Sequence, residues 1–68
     1  MGMVKREYDR LSDNVNKTFK AMNEAFKALK YAYDYEDNTS VIHRLEIAYN
    51  AAVAEHNEAE EAFKSFCN

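Results

Sequence analysis

From Met3 to Asn68 the chain contains neither glycine nor proline. These residues supply positive φ angles and stop helices, so sheets and long loops are hard to punctuate without them. A chain of 68 residues whose one glycine is Gly2 is thereby steered toward long helices. Glycine loops that cradle phosphates are excluded, because no glycine follows position 2.

The apolar spacing gives those helices their faces. Val4, Tyr8, Leu11, Val15, Thr18, Met22, Ala25, Leu29 and Ala32 follow steps of four and three, as the seam of a packed helix does. Ile42, Leu45, Tyr49, Ala52, His56, Ala59, Phe63 and Phe66 repeat the rhythm. Strong helix formers fill the remaining positions. Between the seams lies YEDNTS, residues 35–40. Asn38, Thr39 and Ser40 are good N-cap residues, and Asp37 suits the positive end of a helix. Asn38 is also expected to take a left-handed conformation and close the first helix, in place of glycine. A turn of about four residues sets its two helices antiparallel. The expected fold is all-α: an antiparallel two-helix hairpin, about 3–35 and 39–66, forming one domain over 1–68.

Facing positions follow from that geometry. Ala32 meets Ile42, Leu29 meets Leu45, Ala25 meets Tyr49, and Met22 meets Ala52. Toward the open end Thr18 meets His56, Val15 meets Ala59, Leu11 meets Phe63, and Tyr8 meets Phe66. Several pairs set a large residue against a small one, as interdigitation requires. The same rule carried to the flank sets Phe19, Phe26 and Tyr33 against Glu55, Ala48 and Val41. Ala21, Ala28 and Val53 then form a close-approach flank.

Those aromatics widen the apolar face beyond what one partner helix covers. A single core is thin at this length, and the lone Cys67 forms no internal disulfide. The expectation is therefore a homo-oligomer, most simply a symmetric dimer forming a four-helix bundle. Its interface would use Phe19, Phe26 and Tyr33 with Tyr49, Phe63 and Phe66 of the second helix. Each phenylalanine buried there contributes roughly 1.5–3 kcal/mol.

The remaining residues favour binding over catalysis. His56 is the polar residue on the second seam and pairs with Thr18 opposite it, a core polar pair. A metal site is not expected, because no glutamate lies three residues before either histidine and the first seam carries none. His43 reads as a surface residue near Glu46. No serine, threonine or cysteine has an evident base and orienting group, so no enzyme and no cofactor are expected. No apolar run approaches the roughly 18 residues that span a membrane. The unpaired thiol suits a reducing compartment, and the expected location is cytoplasmic.

Net charge is −3, which disfavours nucleic acid as a partner. Within 1–33, however, basic residues outnumber acidic ones: Lys5, Arg6, Arg10, Lys17, Lys20, Lys27 and Lys30 belong to the first helix. Asp13 and Glu24 are spaced to pair with Lys17 and Lys27. An anion-binding reading would use Arg10, Lys17, Lys20 and Lys27, with Tyr8, Tyr31 and Tyr35 as stacking faces. Tyr31 and Tyr35, near the turn, are also the expected contact residues for a protein partner.

In length and layout the chain resembles the plasmid copy-number regulator of the Rop type, an acidic helical hairpin that dimerises and binds paired RNA loops. NAAVAEHNE, residues 50–58, resembles the second helix of phage hairpin proteins that sequester cyclic-nucleotide immune signals. The expected function is a non-enzymatic oligomeric regulator or inhibitor, of phage or mobile-element type, acting on a partner protein. The alternatives are sequestration of a nucleotide-like anion between protomers and Rop-like RNA binding.

Overall fold

The computed structural model describes residues 2–68 of the chain, with side chains from residue 4 onward. Two helices, α1 (Gly2–Tyr35) and α2 (Thr39–Cys67), form a rod of 54 × 14 × 13 Å. Both boundaries fall within a residue of those expected from the seams.

The turn closes without left-handed geometry. Among the described residues none has positive φ. Asn38 is extended, with φ −87° and ψ 110°. It serves as the N-cap of α2, its side-chain oxygen accepting from the Ser40 N–H at 2.9 Å. The Ala32 carbonyl accepts from Glu36 N–H at 2.8 Å, and the Glu36 carboxylate accepts from Asn38 N–H at 3.1 Å. The expectation of a left-handed Asn38 is thus corrected: its capping preference outweighs its αL tolerance, because α2 begins at the next residue. At the far end the Asn68 N–H returns to the Lys64 carbonyl at 3.0 Å, and Lys64 suits the negative pole of the helix.

From Leu11 to Ala32 and from Ile42 to Phe63 the seam packs where the spacing put it, while Tyr8 and Phe66 at the open end remain exposed. Leu11, Leu29, Ala32, Ala59 and His56 are buried. Val15, Thr18, Met22, Ala25, Ile42, Leu45, Tyr49, Ala52 and Phe63 are half-buried. At the open end Tyr8 lies against Phe63 and Phe66, with ring centroids 5.3 and 6.5 Å away. α1 runs past that cluster, and Val4 stays exposed.

The flanks pair differently from expectation. Tyr33 donates a hydrogen bond to Glu46 at 3.1 Å, not to the side holding Val41. Phe26 meets Tyr49 at 5.8 Å, and Phe19 meets His56 at 5.6 Å. Glu55 instead shares the opposite groove with Asn14. The physical reason is handedness. Viewed from one end, antiparallel helices wind in opposite senses while their seams face each other. The residue after a seam position therefore falls on the same side of both helices. Tyr33 follows Ala32 and Glu46 follows Leu45, so they meet; Val53 follows Ala52 and lies on that aromatic side too. The small flank consists of Ala21 and Ala28 with Ala48, not Val53.

Candidate interaction surface

Ring contacts run up one face of the hairpin. Tyr8 on Phe63, Phe19 on His56, and Phe26 on Tyr49 cross between helices at tilted angles of 54°, 54° and 52°. The Tyr33–Glu46 hydrogen bond completes the series toward the turn. Such ring pairs contribute about 0.5–1.5 kcal/mol each beyond burial. They do not close the face. Phe19 and Phe26 remain 47% and 50% exposed, and Tyr33 is more open still.

The border of this face is uncharged over its middle. Asn16 and Asn23 edge it on α1, and Asn50 and Asn57 edge it on α2; all four are exposed. Its carboxylates are engaged: Glu46 accepts from Tyr33, and Glu60 lies 2.5 Å from His56 Nε2. An apolar centre with a polar, charge-poor border is the anatomy of an association surface. The hydrogen bond that Tyr33 donates to Glu46, aided by desolvation and the carboxylate's charge, raises the Tyr33 phenol above the ordinary tyrosine value.

Beneath Phe19 sits the polar pair expected from the seams. Thr18 Oγ1 and His56 Nδ1 are 3.1 Å apart. The Thr18 hydroxyl also lies 2.8 Å from the Asn14 carbonyl and 3.0 Å from that of Val15. Two proton arrangements satisfy the cluster. In one, Thr18 donates to Nδ1 and Nε2–H faces Glu60. In the other, an imidazolium donates from both nitrogens and Thr18 donates to its own helix. Nε2 carries a proton in both, because a lone pair there would oppose the Glu60 carboxylate. No buried side-chain polar atom among the described residues lacks a partner.

The residues assigned to anion binding do not converge. Arg10 is held by Glu7, an ion pair that lowers the Glu7 carboxyl and raises the Arg10 guanidinium through their hydrogen bond. The nearby groove of ≈ 500 Å³ contains Asn14 and Thr18 but also Glu55 and Glu58. Tyr8 belongs to the aromatic cluster at the open end. Lys17, Lys20 and Lys27 are exposed on the side of α1 away from the seam, with Lys27 3.9 Å from Glu24. A second groove, ≈ 650 Å³, lies at the start of α2 beside Ser40, His43, Arg44 and Glu46.

Tyr31 and Tyr35 stack on each other at 4.7 Å and are 66% and 73% exposed. They occupy the turn end, on the flank away from Phe19 and Phe26. Ile47, 56% exposed on the outside of α2, was not singled out by the sequence reading. Its signal was available: it lies off both seam and flank, where charge is usual. Among the described residues no group of three or more His, Cys, Asp or Glu could hold a metal ion, and no helix is long and apolar enough to cross a membrane. Comparison with protein-family models, curated proteins and solved structures gave no match.

Proposed function

We propose that this chain is a non-enzymatic binding protein whose working form is an assembly of copies, built on a four-helix bundle of two hairpins. In this reading it acts on a partner protein as a regulator or inhibitor of phage or mobile-element type. The observation that carries it is the aromatic face, where Phe19 and Phe26 stay half-exposed beside an amide border. Water contact at those rings is relieved when a second hairpin packs on them.

The stacked Tyr31–Tyr35 pair is the contact offered to the partner. It lies away from the aromatic face, so pairing of hairpins leaves it accessible. Tyrosine is enriched among residues that dominate binding energy, because it brings large rigid area and a polar tip.

Sedimentation equilibrium tests the assembly. The wild-type chain should exceed its monomer mass, and Phe19→Ser with Phe26→Ser should lower that mass while helicity is retained. A double variant that sediments like the wild type sinks the reading. For the partner contact, Tyr31→Ala with Tyr35→Ala should keep the wild-type mass and lose the protein captured by the wild type. Unchanged capture would remove those tyrosines from the binding role.

A further inference from the structure

The aromatic face leaves a different part of α2 unexplained. From Ile47 to Ala54, IAYNAAVA, the helix carries no charged residue on any side. Leu45, Tyr49 and Ala52 account for its inner side, and Val53 for the aromatic flank. Ile47, Ala51 and Ala54 point away from α1 and are exposed. At the same level the outside of α1 is charged, with Lys20, Glu24 and Lys27. Apart from Asn50 the segment is apolar on every side, a composition that favours burial beyond one face. The hairpin covers only its inner half.

The outside of α2 adjoins the aromatic face through Asn50 and Val53, so pairing of that face leaves it open to a further copy.

We infer that the outside of α2 is a second self-interface, formed by an antiparallel α2–α2 contact about a twofold axis at Ala51. Its pattern is self-complementary about that residue. Ile47 lies one turn before Ala51 and Ala54 about one turn after, so each Ile47 packs against the small Ala54 region of the other copy. Arg44 lies two turns before and Glu58 two turns after. The twofold brings each Arg44 to the other copy's Glu58, forming two reciprocal ion pairs. Both residues are exposed, and neither makes an ion pair among the described residues. Ala51 and Ala54 allow the helices to approach closely. An isologous contact of this kind is the commonest symmetric arrangement.

The inference rests on the proposed aromatic-face pairing for its consequence: two distinct twofold contacts give an even-numbered assembly larger than a dimer. Native mass spectrometry with charge reversal tests it. The wild-type protein should show that larger assembly. Arg44→Glu alone and Glu58→Arg alone should each reduce it to the dimer. The combined Arg44→Glu/Glu58→Arg variant should restore it, because the reciprocal pairs re-form with signs exchanged. Ala51→Glu, at an exposed position in the hairpin, should also yield the dimer with full helicity. A wild-type chain that stops at a dimer which Arg44→Glu leaves whole and Phe19→Ser with Phe26→Ser dissociates overturns the inference and leaves the aromatic-face pairing intact. So does a combined swap that fails to recover what the single reversals lose. A monomeric wild type overturns both contacts.

Discussion

The two flanks of the hairpin share one seam and behave differently. On one, Phe19, Phe26 and Tyr33 reach across to His56, Tyr49 and Glu46 and still remain 47–57% exposed. On the other, Ala21, Ala28 and Ala48 leave a shallow surface, with the Asn14–Glu55 groove beyond them. Rings that exceed what the hairpin covers indicate a demand from outside the hairpin.

The contrast gives ordered expectations. Phe26→Ala should destabilise by up to about 3 kcal/mol, the value for a fully buried phenylalanine, because the hairpin itself covers only half of the ring. It should also flatten the rise of Tm with protein concentration that self-association produces. Ala28→Ser on the opposite flank should stay within about 0.5 kcal/mol, as surface substitutions do. Thermal melts at several concentrations measure both, and equal effects from the two flanks would erase the distinction between them.

Next in size is the polar pair under Phe19. Thr18→Val removes the hydroxyl from His56 Nδ1 and should cost about 1–3 kcal/mol, the penalty of an unsatisfied buried group. Combining it with His56→Leu should cost less than the two single changes summed, in a urea-denaturation double-mutant cycle. Additive costs would mean that the pair is not energetically coupled.

Away from both flanks, Asn38→Ala should lose about 1 kcal/mol through the cap, and Asn38→Gly only a few tenths. A gain in stability from glycine would instead indicate a left-handed residue at 38.

The smallest expected effect is at Tyr33. Its folded pKa is raised by the hydrogen bond to Glu46. The stability this contributes is fully present below the ordinary tyrosine pKa and is lost as pH rises through the raised value. Melting temperature should therefore decline on alkaline titration, and Tyr33→Phe should lack that part of the decline. An identical slope in both proteins would deny the interaction any energetic role.

The seam was legible from residue spacing alone, because one helical period and one short turn leave little freedom in which residues face each other. Thr18 and His56 could be paired for that reason, with no contact known. The flanks were harder. The rule that pairs seam positions does not extend sideways, so Phe19, Phe26 and Tyr33 were set against the wrong side of α2. Winding sense, rather than composition, decides that choice. Asn38 was misread because one residue suits two turn chemistries, and only its backbone angles separate them. Ile47 passed unnoticed because attention to apolar spacing hides an apolar residue that falls outside the pattern.

The interior has a consequence for abundance. Among the described residues only four apolar side chains, Leu11, Leu29, Ala32 and Ala59, are buried within one hairpin. An isolated copy therefore has little to resist unfolding, and the proposed covering of its remaining apolar surface by other copies would tie its folded fraction to its own concentration. Synthesis in small amounts would leave chains open to proteolysis, and synthesis above the association threshold would let them persist. Under the proposed assembly, the thin core would act as a dosage gate, converting a gradual rise in expression into a sharper onset of folded protein.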